Sequence, residues 1–145
     1  MRFSNKLSDA VHILSYIDIY SDGDLSSQAI ADSIGSNPSV VRRLMSRLTK
    51  AGLLQTRPGI VAPALAKNPN EITLLDVYRA ADDNQNLLHV DEKTNPACIV
   101  GGNIQDTLNV IYDDIQDQAE QRMQGITVQS IIDDILVRES HRTDR

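Results

Sequence analysis

The chain has 145 residues and a mass of 16.0 kDa, room for one ordinary domain or two small ones and far too little for a barrel enzyme. Hydrophobic residues make up 41% and charged residues 23%, which excludes wholesale disorder and low-complexity classes, and an aromatic content of 3% without Trp argues against a stacking platform for single strands or sugars. The formal net charge of −6 hides two halves of opposite sign: residues 1–67 hold eight bases and five acids, a net of +3, and the rest hold six bases and fifteen acids, a net of −9. An anionic ligand is therefore expected at the front half.

From Ser4 to Tyr20 the apolar residues Leu7, Ala10, Val11, Leu14 and Ile17 recur at spacings of three and four, which predicts an amphipathic helix capped by Ser4. Ile13, Tyr16 and Tyr20 give it a second apolar side, the pattern of a helix sandwiched between its own domain and another element such as a partner subunit. Ser21 to Asp24 reads as a turn. A second short helix is expected from about Ser27 to Ser33, with Gly35 as a left-handed cap. Asn37-Pro38 restarts the chain as N-cap and first helical residue of a third helix reaching about Ala51, stopped by Gly52. Leu53 to Arg57 and Ile60 to Leu65, joined by Pro58-Gly59, read as a hairpin whose second strand is kept at an edge by Pro63.

Thr73, with Asp76 three residues on, opens a fourth helix through about Ala81. Asp82 to Ala97 is polar and turn-rich and is expected to be a loop. A long helix follows from about Gly102 to Met123, with Ile104, Leu108, Ile111, Ile115 and Ala119 on one stripe, and Thr127 opens a last helix striped by Val128, Ile131, Ile132, Ile135 and Leu136. Residues 140–145 form a polar tail. The fold class is mostly α with a small β-hairpin wing: a winged helix-turn-helix over 1–81, a loop or effector region over 82–101, and dimerisation helices with the tail over 102–145. No run of 18 apolar residues and no apolar stretch near Met1 to Asp9 is found, so neither a membrane span nor a signal peptide is read and the default compartment is the cytoplasm.

Segment 27–54 has helix-turn-helix spacing with a steric reason at each fixed position. Ala31 is small where two helices cross, Gly35 lets the chain turn with positive φ, and Ile30, Ile34, Val41 and Leu44 close a shared core. That leaves Ser39, Val40, Arg42, Arg43, Ser46 and Arg47 off the core, so the third helix is the candidate recognition helix. Ser39, Val40, Arg42 and Arg43 are expected at base edges. Arg47, Lys50, Lys6 and Arg57 are expected mainly at phosphates, and Gln28 of the preceding helix belongs to the same surface. The alternative is a winged-helix interaction module that docks on a metabolic enzyme without binding DNA; the bunched arginines favour the DNA reading.

The segments MRFSNKLSDAVHIL, AIADSIGSNPSVVRRLMSRLTKAGLL and NEITLLDVYRA resemble the Rrf-two family of bacterial winged-helix transcription regulators, over nearly the whole chain. The resemblance implies a homodimer in which the long C-terminal helix packs against its twin and the first helix helps join the subunits, bound to a palindromic operator on double-stranded DNA. It points again to Ser39 and Arg42. The family's wing tip is often Gly-rich, whereas Arg57-Pro58-Gly59-Ile60 has a single Gly. Many members hold an iron-sulfur cluster on three cysteines before the long helix. Here only Cys98 stands in that loop, which excludes a three-cysteine cluster, and Asp9 with His12 on the first helix adds no second soft ligand. No metal or other cofactor is therefore expected.

Cys98 reads as a small buried hydrophobe or, as the alternative, as a redox-sensing thiol. Any sensing, by oxidant or by a small-molecule or protein effector, is expected around Asp91 to Gly102. Enzyme readings fail: His12, His89 and His141 lie far apart without metal-ligand spacing, Gly101-Gly102 lacks a P-loop Lys, and the pairs Asp82-Asp83, Asp113-Asp114 and Asp133-Asp134 are read as solvated helix faces.

Overall fold

The computed structural model describes residues 4–56 and 62–142. Among these residues six α-helices form in chain order, α1 (Lys6–Ile19), α2 (Ser27–Ile34), α3 (Pro38–Lys50), α4 (Leu74–Ala81), α5 (Ile104–Gln124) and α6 (Val128–Arg142), with a two-stranded antiparallel sheet of β1 (Leu54–Gln55) and β2 (Ala64–Leu65) and a short 3-10 turn (Pro69–Glu71) between α3 and α4. The mostly helical class with a small hairpin is the one the periodicity predicts.

The helix starts follow side-chain chemistry. Ser26 accepts a hydrogen bond from the Ala29 N–H at 3.2 Å and Asn37 from the Val40 N–H at 3.1 Å, each satisfying a donor the helix leaves unpaired. Thr73 and Asp76 form the full reciprocal box, at 3.1 and 3.0 Å. The exceptions are α5, whose cap residue Asn103 makes no side-chain cap bond, and α1, where Asn5 rather than Ser4 is the cap residue and likewise makes none. Ser4 lies one position too early, and its Oγ accepts from the Lys6 N–H instead. The hairpin is also shorter than expected: Leu54 pairs with Leu65 and Gln55 with Ala64, and the Ala66 N–H donates to the Leu53 carbonyl at 3.0 Å. The expected wing tip, Arg57 to Val61, lies outside the described residues.

One hydrophobic core unites front and back. Ile13, Leu14 and Ile17 of α1 meet Ile30 and Ala31 of α2, Val41, Leu44 and Leu48 of α3, Val77 of α4, and Val128 and Ile132 of α6. The chain returns to this core through a clip: the Leu74 N–H donates to the Ile126 carbonyl and the Val128 N–H to the Ile72 carbonyl, both at 2.8 Å, around a Thr73–Thr127 bridge. In contrast, no residue of α5 is buried, and the α6 stripe splits, Val128 and Ile132 inside and Ile135 and Leu136 exposed.

Leu48 is 0% exposed at the centre of the core. Leu48→Ala is expected to lower the unfolding free energy by about 2–5 kcal/mol, read as a reduced midpoint in urea denaturation with an unchanged slope.

Candidate nucleic-acid interface

The α2–α3 crossing sets the geometry. Ala31 is fully buried where the helices meet, and its carbonyl accepts from both Gly35 N–H (2.9 Å) and Ser36 N–H (3.0 Å), a closure that needs the left-handed backbone of Gly35 at φ 79°. With Val41, Leu44 and Leu48 turned inward, helical periodicity leaves Ser39, Arg42, Arg43, Ser46 and Lys50 exposed on the opposite face. Val40 departs from its expected place off the core: it is half-buried and packs against the core cluster, on the flank of the helix.

Neighbouring groups preorganise several of these side chains. The Ser39 hydroxyl donates to Asn37 Oδ1, tying it to the cap. Arg42 Nη1 donates to Ser27 Oγ at 3.2 Å, which lays the guanidinium across the α2 N-terminus. Gln28 Nε2 donates to Asp32 Oδ1 at 2.8 Å along α2. Arg42, Arg43 and Lys50 form no ion pair among the described residues, so the exposed face of α3 carries positive charge without internal compensation.

Two predicted phosphate contacts are engaged inside the chain. Arg47 forms a two-pronged pair with Asp83, Nη1–Oδ1 3.1 Å and Nη2–Oδ2 3.0 Å, and Lys6 Nζ lies 3.5 Å from Asp82 Oδ1. The Arg47 guanidinium holds the Asp83 carboxyl below the usual carboxylate range, by hydrogen bonding and by charge. At Asp82 partial burial pushes upward, but the Asn84 N–H, the Ser4 hydroxyl and the Lys6 ammonium outweigh it and lower the pKa. The aspartate pair, expected as a solvated helix face, is therefore a carboxylate clasp on the edge of the cationic surface. Sequence reasoning missed it because Arg47 and Asp83 are 36 positions apart and only the packing of α4 on α3 brings them together.

Residues 82–103 lie along α5. Gln116 accepts from the Leu87 N–H at 2.9 Å and donates to the Gln85 carbonyl at 2.7 Å, and Gln105 Nε2 donates to the Asp91 carbonyl at 3.0 Å. Before α5 the chain turns so tightly that a Cβ on Gly101 would collide with the Asn95 carbonyl. Cys98 sits on this turn and is exposed, which corrects the buried-hydrophobe reading: its neighbours are turn backbone, not core side chains. The Gly101 and Val100 N–H groups lower the thiol pKa from its ordinary value.

On α5, Ile104 and Leu108 are half-buried, while Ile111 is 48%, Ile115 43% and Val110 72% exposed. The donor set for a metal is poor. Cys98 is the only cysteine, His12 Nε2 lies 2.8 Å from Ser33 Oγ, and among the described residues no three His, Cys, Asp or Glu side chains converge. No described helix is long and apolar enough to cross a membrane.

Residues 3–134 match the Rrf2 family model, described as an iron-dependent transcriptional regulator; the donor set just described does not fit an iron site. A relative in Bacillus subtilis strain 168, YwnA, named as an HTH-type transcriptional regulator, is 39% identical over 129 residues, covering 89% of this chain and 96% of YwnA. A crystal structure of a protein named for DNA binding superimposes with a TM-score of 0.70 at 37% identity, covering 88% of this chain and 98% of the other. CymR, the global cysteine regulator of Bacillus subtilis, shares the fold at a TM-score of 0.64 and 20% identity, over 92% of this chain and 97% of CymR. The chain thus belongs to the Rrf2 family of winged-helix transcription regulators, proteins that regulate transcription rather than catalyse a reaction.

Proposed function

We propose that the protein is a homodimeric repressor that binds a palindromic operator through α3. The single observation that carries this reading is the uncompensated cationic face of α3, with Arg42, Arg43 and Lys50 outward and Val41, Leu44 and Leu48 anchoring the helix rigidly from behind. Ser39, Arg42 and Arg43 stand on the turns that would enter the major groove, with Val40 on their flank. Lys50, Gln28 and Arg57 fall to phosphate contacts, and Lys6 and Arg47 join them on release from Asp82 and Asp83. A dimer through α5 supplies the two-fold symmetry. The exposed Ile111 and Ile115, with the half-buried Ile104 and Leu108 on the same stripe, form an apolar face that one copy of the chain leaves uncovered, and two recognition helices about 34 Å apart enter successive major grooves. A bound dimer covers promoter DNA that polymerase needs. Cys98 is the thiol through which oxidant would act on the 82–101 region, beside a small-molecule or protein effector.

The test is selection of duplexes from a random library by the purified protein, followed by titrations of the selected duplex at several salt concentrations, with and without a thiol oxidant. A palindromic consensus and an affinity falling steeply with salt are expected. A flat salt dependence would leave only the enzyme-docking module.

Within that experiment Arg42→Ala is expected to cost about 1–3 kcal/mol and relax preference at one base pair, whereas Lys50→Ala weakens all sequences alike and lowers the salt slope by about one. Ile111→Glu with Ile115→Glu is expected to give monomers in sedimentation equilibrium; a wild type that sediments as a monomer at micromolar concentration removes the dimer. Asp83→Asn frees Arg47 for phosphate and should tighten non-specific duplex binding a few-fold, with a steeper salt slope by about one. Because Arg47 lowers the Asp83 pKa, this pair's stabilising contribution is fully present above the ordinary aspartate value of about 3.9 and is lost as pH falls from there through the lowered folded value. Acid denaturation of wild type and Asp83→Asn should diverge above that window and converge below it.

A further inference from the structure

The first turn of α3 fixes the chemistry of one exposed hydroxyl. Asn37 Oδ1 accepts from the Val40 N–H at 3.1 Å; a backbone N–H only donates, so the atom it meets is the amide oxygen of Asn37, which carries no hydrogen of its own. The Ser39 hydroxyl bonds to that same oxygen, and the proton in this bond is therefore the serine's. Its donor capacity is spent. A freely rotating serine hydroxyl donates or accepts as its partner requires, but this one keeps only its lone pairs for a group outside the chain. Ser39 is exposed, and among the described residues no donor reaches its Oγ. One helical turn on, the exposed Arg42 offers the opposite polarity: its guanidinium carries donors alone, of which Nη1 is already given to Ser27 Oγ at 3.2 Å.

We propose that Ser39 reads the major groove in one direction only, accepting from the exocyclic amine of adenine or cytosine and rejecting the oxygens of guanine and thymine, with Asn37 as the positioning residue that sets this polarity. Guanine O6 and N7 and thymine O4 are acceptors. Set against the lone pairs of Ser39 they would leave both sides without a bond in a contact closed to water, which costs more than a made bond gains. Arg42 takes the complementary edge, the paired acceptors of guanine, so the two side chains select opposite kinds of base edge. The inference rests on the reading of α3 as the recognition helix and adds to it the base chemistry that one residue selects.

The probes are duplexes selected by the full chain from a random library and resynthesised with one exocyclic amine removed at a time, purine replacing adenine and 2-pyrimidinone replacing cytosine. At one position of the half-site, wild type is expected to lose about tenfold in affinity when the amine is removed. Ser39→Ala should bind the parent and the amine-free duplex alike, and because the residue is exposed and Ala favours helix, that variant stays folded. Asn37→Gly keeps a tolerated cap but releases the Ser39 proton, so the hydroxyl donates as well as accepts. The preference for the amine-bearing base over guanine or thymine at that position should then shrink about threefold. Asn37→Asp, which supplies an acceptor for both bonds again, should recover the preference while its added charge weakens binding to every duplex. A capping role alone would move all affinities together and leave the preference unchanged. A consensus in which no amine removal separates wild type from Ser39→Ala, or a preference indifferent to Asn37→Gly, overturns the proposal and leaves operator binding in place. A wild type that selects no consensus removes the operator reading and this assignment together.

Discussion

The close approach of α2 to α3 is the constraint on which the remainder of the molecule depends. Two helix backbones come together only where a side chain is as small as that of Ala31, and the chain reverses between them only because Gly35 accepts a left-handed backbone. Once that crossing is made, the roll of α3 about its own axis is decided. Its three buried residues lock into α1 and α2, and the arginines have nowhere to go but outward. The cationic face of α3 is thus a by-product of core packing, and its rigidity comes from residues on the opposite side of the helix.

The acidic back half acquires a role from the same geometry. A net charge of −9 over residues 68–145 would repel a nucleic acid if it were spread evenly around the protein. Instead the first acids after α4, Asp82 and Asp83, sit against Lys6 and Arg47 and border the cationic face rather than cover it. An exposed pair of this kind contributes little to stability. Its weight lies in competition: a phosphate approaching Arg47 must displace a carboxylate already seated there in two-pronged geometry.

Much of this was legible before any coordinates. Helix starts carried by local chemistry, Asn37 with α3 and Thr73 with Asp76, are nearest-neighbour effects that a linear reading captures, as are the inward Val41 and Leu44 and the outward Arg42 and Arg43 of α3, while Val40 on the flank is not. The α1 cap was misplaced because Ser4 and Asn5 are both competent caps, and the choice between them is made by where the tertiary structure starts the helix. The burial of Cys98 was misjudged for a related reason. Frequency favours an internal cysteine, but the turn that Gly101 permits leaves no core side chain near it. The clasp of Arg47 on Asp83 depends on contact between distant segments, and no periodicity encodes it.

The clip at Thr73 and Thr127 fastens the chain where it leaves the core after Ile72 and where it re-enters at Val128. Everything between is held as a closed excursion whose ends are joined at its base. For such a loop the entropic cost of added length grows only logarithmically, about 0.6 kcal/mol for each doubling, and the core does not register what happens at the far end. Beyond α4, which stays packed at the base, no residue from 82 to 125 is buried, and this stretch reaches Lys6 and Arg47 of the front half through Asp82 and Asp83. A change in that excursion is thus felt at the α3 face where those aspartates sit, while the two backbone hydrogen bonds of the clip hold its base to the core.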